Sequence, residues 1–238
     1  MIQSLNGNLI DGRKPPRFII KFGQKEHLKM LQEGKLYMQP WRWFKDCESH
    51  KERRDVNEGV QHWFNPEKTE IYIAGHKFTR AGGTVDARMS LVDEKTNIFC
   101  AAAFWNGDDS KEDGRMFEEE IKDFGENFLA IGDIKVFFQK LNSALKDLHA
   151  NGTIEGADAQ RVSYFDEVSY DGEVGPFRKS SRYKHQKEWR LIIRKVQEDR
   201  EPFVLDIGSI KEITILGETK DFKNKMERVA EGLVKISI

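Results

Sequence analysis

The run Lys184-His185-Gln186-Lys187-Glu188-Trp189-Arg190-Leu191-Ile192-Ile193-Arg194 carries one carboxylate among cations, on a segment that alternates as a strand does. Successive strand side chains point to opposite faces, so Trp189, Leu191 and Ile193 share one face and Glu188, Arg190, Ile192 and Arg194 the other. The first face is fit to bury. The second sets a carboxylate beside guanidinium groups on a rigid element, an arrangement that holds a hydroxyl or stabilises a developing positive charge. The plainer alternative is an ordinary ion-paired face, since structural ion pairs outnumber catalytic ones. The pattern predicts Trp189, Leu191 and Ile193 in the core and Glu188 at a cleft. It also predicts little change in stability for Glu188→Gln.

Other chemistries lack their motifs. The chain has no G-x-x-x-x-G-K-[ST], no G-x-G-x-x-G and no H-E-x-x-H, so a phosphate-cradling loop, a dinucleotide turn and a zincin helix are poorly supported. Cys47, His50 and His62 are loosely spaced like metal ligands but fall short of a four-ligand zinc set. No serine or cysteine sits in a nucleophile elbow.

Positioning such a strand takes a core, and 238 residues suffice for one domain. With 38% hydrophobic and 33% charged residues, 16 Phe and 5 Trp, the chain is too aromatic for disorder and polar enough for water. A net charge of -1 argues against binding nucleic acid through a global positive field. Any such contact is expected to be weak and local, through Lys51–Arg54, Arg178–Lys184 and Arg190–Arg194. Two cysteines make no disulfide framework. The first residues show no secretory pattern, and no apolar run approaches about 18 residues. The expectation is a cytoplasmic protein without a membrane partner.

Residues 1–16, ending in Pro15-Pro16, read as a flexible lead-in to a single α+β domain over 17–238. Arg17 to Phe22 alternates as a strand; Gln24 to Glu33 reads as a short helix with Gly34 where its C-terminus wants a left-handed residue; Lys35 to Met38 returns as a strand. Pro40 to Pro66 mixes Trp41, Trp43, Phe44 and Trp63 with charge, as a long loop over a pocket does. Strands are expected at Glu70–Ala74, near Lys77, at Asn97–Trp105, Phe128–Ile131, Gln160–Tyr164, Pro202–Ile207 and Glu212–Leu216. Turns are expected at Gly82-Gly83 and Gly107–Gly114, and a loop at Asp166–Lys179. Helices are expected at Met116–Phe124, Lys135–Leu148 and Asp221–Glu231.

Four segments together resemble a little-characterised bacterial family known only as a domain of unknown function. They are Phe22–Met38, Arg53–Gly59, Asn97–Phe104 and Lys184–Ile193 with its Glu-Trp-Arg. Val162-Ser163-Tyr164 and Ile213–Gly217 fit the same order. More distantly, the layout is similar to the ADP-ribosyltransferase superfamily, which implies a split, mostly antiparallel β-core flanked by short helices and clamped on NAD⁺. The resemblance carries a late glutamate over to Glu188, with Arg190 beside it. Lys21 or Arg17 stands in for the first-strand residue that holds the nucleotide. The middle strand departs: Cys100-Ala101-Ala102-Ala103 replaces a hydroxyl pair. Under this resemblance Tyr37, Trp41, Trp43 and Phe44 are candidates to stack on nicotinamide. Lys21, Arg42 and Arg53 are candidates for the pyrophosphate, and Glu58 joins the cofactor-binding set. Walls are expected from the first strand, the Pro40–Gly59 segment and the Glu188 strand.

The resemblance implies an enzyme that uses NAD⁺ as substrate to modify a macromolecule, protein or RNA, as a toxin or phage-defence effector does. Two alternatives stay open: a non-catalytic nucleotide or nucleic-acid binding module of the same fold, and a metal-dependent nuclease built on Asp55, Glu58 and Glu188.

Overall fold

The computed structural model describes residues 15–46, 57–65, 70, 72–73, 75–77, 87–90, 93–105 and 124–222. The lead-in up to residue 14, the Lys51–Asp55 cluster with Arg53, Cys47, His50 and the Gly82-Gly83 turn lie outside these residues. So do the Gly107–Gly114 turn, most of the Met116–Phe124 helix and all but the start of the Asp221–Glu231 helix.

The first described elements are β1 (Phe18–Gly23), α1 (Lys25–Gln32), β2 (Lys35–Pro40) and α2 (Trp41–Asp46). Then come β3 (Val60–Phe64), β4 (Tyr72–Ile73), β5 (His76–Lys77), β6 (Ala87–Ser90) and β7 (Thr96–Phe104). β8 (Asn127–Ile131), α3 (Ile134–Ala150), β9 (Ile154–Arg161) and β10 (Ser163–Phe165) follow. The last are β11 (Gly172–Glu173), β12 (Arg178–Ser180), β13 (Glu188–Lys195), β14 (Phe203–Asp206) and β15 (Thr214–Glu218). The class is α+β, with a mostly antiparallel sheet and few helices.

β7 is the axis of the main sheet. Along one edge it pairs with β13, from Thr96 opposite Arg194 to Ala102 opposite Glu188, and β9 continues beyond β13. The other edge is shared. β2 takes Asn97 and Ile98, while β1 takes Ala102 to Phe104. The sheet therefore forks, with β14 outside β2 on one arm and β8 and β15 outside β1 on the other. Where β1 and β2 part, the Lys21 ammonium donates to the Cys100 carbonyl at 2.5 Å and lies 4.8 Å from the Phe99 ring centre. A backbone acceptor without a ladder partner at that point needs such a donor.

One face of the sheet is covered by α1 and α3. Leu28, Leu31, Phe137, Phe138 and Leu141 pack there against Ile19, Phe99, Trp189, Leu191 and Ile193. α3 starts at Asp133, whose carboxylate accepts from Val136 N at 2.9 Å, and its apolar residues recur at helical spacing. On the other face two apolar clusters stand apart: Ile20, Phe22, Phe128 and Phe222 on one side, Trp41, Ile98 and Ile192 on the other. Glu188 and Arg190 stand opposite Ala102 and Cys100 on β7, on this second face.

Gly34 ends α1 at φ 88°, and a Cβ there would lie 2.1 Å from the Gly208 carbonyl oxygen, so only glycine fits. The Pro40–Pro66 loop contains a helix and a strand among its described residues. Trp41 buries against Ile98 and Ile192, which pulls α2 back onto the sheet. The strand expected at Gln160 starts earlier, at Ile154, because Gly156, Ala157 and Ala159 supply its buried positions without a β-branched pattern. β11 and β12 break up the expected Asp166–Lys179 loop. β13 begins only at Glu188: Ser181–Gln186 is a 3₁₀ turn, capped by Lys187 at φ 44°. No helix among the described residues is long and apolar enough to cross a membrane.

Candidate functional site

Glu188 opens β13 and is 6% exposed. Its Oε1 accepts from Arg190 Nε at 2.7 Å. Its Oε2 has two longer contacts, 3.3 Å from Lys179 Nζ and 3.4 Å from Arg190 Nη2. Burial alone would raise this carboxyl. The charges of Arg190 and Lys179 and the Arg190 hydrogen bond outweigh it and hold the group well below the usual carboxylate range. The Cys100 thiol faces Glu188 and is pushed up, first by burial and then by the carboxylate. Tyr164, whose hydroxyl accepts from Glu188 N at 2.9 Å, is pushed up for the same two reasons.

Arg190 is 2% exposed, and its guanidinium is committed within the protein. Besides Glu188, Nη1 reaches Glu58 Oε1 at 2.8 Å and the Pro176 carbonyl at 2.6 Å, while Nη2 reaches Glu58 Oε2 at 2.9 Å. Burial would lower its pKa, but Glu188 and Glu58 raise it well above the ordinary value. Glu58 also accepts from Trp41 Nε1 at 2.8 Å. Lys179 Nζ is shared with Gln186 Oε1 at 2.8 Å. The result is a buried chain of alternating charge, Glu58–Arg190–Glu188–Lys179.

A cavity of about 900 Å³ opens over this chain in the fork of the sheet. Its floor is Cys100, Ala101, Ala102 and Glu188; α1 and Gly23 give one wall, Tyr37, Gln39, Trp43 and Phe44 another. Its size lies at the upper end of small-molecule sites. Lys21, Lys25, Lys35 and Lys179 face it together with Glu26, Glu126 and Glu188.

Of the residues singled out in the sequence, Lys21, Tyr37, Trp43, Glu188 and Arg190 come together around this cavity. Tyr37 is 47% exposed at its mouth. Others lie elsewhere: Arg42 points out and pairs with Glu94 at 2.6 Å, Glu58 sits behind Arg190 instead of lining the cavity, and Trp41 is buried against Ile98 and Ile192. Arg53 is outside the described residues. Arg190 borders the cavity, yet its donors are consumed by Glu58, Glu188 and Pro176, so it positions rather than binds. The buried pairing with Lys179 argues against the expectation that Glu188→Gln is neutral, because the change would strip the charge that Lys179 faces.

Lys179 and Gln186 are not expected at this site from the sequence, whereas Cys100 stands out there only as a departure on the middle strand. Lys179 arrives through the parallel pairing of β10 with β12 (Tyr164 opposite Lys179), and nothing local in the sequence signals that. Among the described residues, several of the cations considered for nucleic acid are buried or paired. Lys179 and Arg190 are buried, while Arg182 pairs with Glu167 and Arg194 with Asp93 and Glu155. The His62 ring lies 4.3 Å from that of Phe64, tilted by 32°, and the described residues contain no group of three or more side chains that could hold a metal ion. Comparison with protein-family models, with curated proteins and with solved structures gives no match for this chain.

Proposed function

We propose that the cavity binds NAD⁺ and that the chain is an ADP-ribosyltransferase-like enzyme, working in the cytoplasm on a macromolecular acceptor, protein or RNA, as a toxin or phage-defence effector does. The observation that carries the reading is an ionised carboxylate, Glu188, fixed on a strand at the floor of a cavity where the sheet forks. In such a transfer the bond from the ribose to nicotinamide breaks, and its electron pair leaves with the now neutral nicotinamide. The ribose gains oxocarbenium character, a lone pair of the acceptor forms the new bond, and the acceptor proton goes to solvent. Glu188 is held far below neutral pH, so it acts by charge and as acceptor for a ribose hydroxyl, not as a proton donor. Its Oε2 meets Lys179 and Arg190 at 3.3 and 3.4 Å, and a carboxylate oxygen can accept more than one hydrogen bond. Tyr37, Trp43, Lys21 and Lys35 line the cavity; in this reading the aromatics stack on a base or on nicotinamide and the lysines meet phosphate.

One observation favours a second reading, a non-catalytic nucleotide-binding module. The floor strand offers Cys100, Ala101 and Ala102, with no hydroxyl to orient a substrate. The nuclease alternative is not carried forward, because both Glu58 oxygens already accept from Arg190.

Calorimetric titration with NAD⁺, followed by incubation with labelled NAD⁺ and a cell lysate, separates these readings. Binding with label transfer, lost in a folded Glu188→Gln variant and weakened in Tyr37→Ala, supports the enzyme. Binding without transfer supports the module. A folded protein that ignores millimolar NAD⁺ sinks both NAD⁺ readings.

A further inference from the structure

We infer that Glu58, which does not line the cavity, is the positioning residue that keeps the Glu188 carboxylate charged toward the cavity and ties the aromatic wall to it. Glu58 is 5% exposed, on the turn before β3, and its two oxygens bracket both Nη groups of Arg190 at 2.8 and 2.9 Å. This bidentate pairing fixes the guanidinium plane and balances its charge. Arg190 is thereby left with one short bond to Glu188, through Nε at 2.7 Å, its Nη2 standing off at 3.4 Å. Without the Glu58 charge, the nearest carboxylate for those Nη groups is Glu188, and a guanidinium turned onto it would cancel the charge the cavity presents. The same Glu58 Oε1 accepts from Trp41 Nε1 at 2.8 Å. Trp41 begins α2, whose Trp43 and Phe44 form the wall, so one carboxylate holds floor and wall in register. A residue behind the site that fixes a charge and a wall acts through others.

The role of Glu188 as the working carboxylate rests on the NAD⁺ reading, and the test keeps the two apart through Cys100. That thiol faces Glu188 and senses its charge whether or not any ligand binds. In a Cys47→Ser background Cys100 is the single cysteine of the chain. Its alkylation by the uncharged reagent iodoacetamide is followed from pH 7 to 10 in Glu58→Gln, Glu58→Asp and Leu145→Ala. Leu145 lies in the core on the opposite face, so its variant gives the rate that loosening of the fold alone produces. The expected result is alkylation about tenfold faster in Glu58→Gln than in Leu145→Ala, with the pH profile moved to lower pH and restored by Glu58→Asp. Glu58→Gln reacting no faster than Leu145→Ala, or Glu58→Asp failing to restore the profile, would overturn the inference. If the parent protein modifies an acceptor, Glu58→Gln should also lower kcat about a hundredfold with KM little changed. If it ignores NAD⁺, that function fails while the thiol rates still decide the role of Glu58.

Discussion

Glu188 stays ionised because Arg190 and Lys179 outweigh the burial that would protonate it, and that balance makes it structural as well as reactive. Glu188→Gln leaves Lys179 facing a neutral amide in a site where it is itself buried. Breaking a buried pair from one side costs about 3 kcal/mol, so the urea midpoint of this variant should fall clearly below that of the parent. The pH dependence has a definite sign. The native carboxyl lies below its ordinary value of 4.5, so its contribution is complete above that pH and is lost as pH falls through it toward the native value. The gap between parent and variant should therefore be full at pH 7 and shrink below about pH 4. A gap that stayed constant down to pH 3 would mean that Glu188 contributes by packing alone. On the opposite face of the same strand, Trp189 packs edge-on to Phe138 with ring centres 5.7 Å apart. Trp189→Ala should cost about 3–5 kcal/mol, read from the same denaturation curves.

At the scale of elements, the α1–β2 joint holds the arm of the fork that carries Tyr37. Gly34 there combines a left-handed φ with direct apposition to Gly208, and Ile207 N donates to the Gly34 carbonyl at 2.9 Å. Gly34→Ala should cost at least about 2 kcal/mol and loosen β14 from β2, seen as faster amide exchange at Leu36 and Leu205. A neutral Gly34→Ala would show that Gly208 yields freely. This joint was legible in the sequence, because a glycine after a short amphipathic run has one conformational reason to be there. The Glu188 strand and α3 were legible for a similar reason, their periods being clean over enough residues. What escaped was set by partners far along the chain. α2 coils because Trp41 has Ile98 and Ile192 to bury against, and β9 is extended because β13 pairs with it, although its small residues carry no strand pattern. The candidate site divides in the same way. The face that Glu188 shares with Arg190 followed from alternation. That Glu58, 132 residues away from Arg190, would consume that arginine followed from nothing local.

For the molecule as a whole, the net charge of -1 gives little long-range attraction for an anion, so any phosphate-bearing ligand must be drawn by the cavity itself. Four lysines and Arg190 line that space against three glutamates, a small local excess of positive charge. Such an excess makes binding weaken with salt, but only modestly, because few charges are neutralised. The fork adds a mechanical argument. Among the described residues β1 and β2 do not pair with each other but each pairs with β7, so a ligand spanning Lys21 and Tyr37 bridges both arms and stabilises the native state against unfolding. At a hundred times its dissociation constant NAD⁺ should add about 2.7 kcal/mol. For a chain of this size that corresponds to a rise in Tm of about 5–10 °C. The same shift should survive an increase from 50 to about 500 mM salt with less than a tenfold loss of affinity. Differential scanning fluorimetry across NAD⁺ and salt concentrations checks both, with Tyr37→Ala as the control in which the bridge loses one of its ends. A Tm indifferent to NAD⁺ would remove the ligand from the fork. A shift that vanished at moderate salt would place it on surface lysines instead of between the arms.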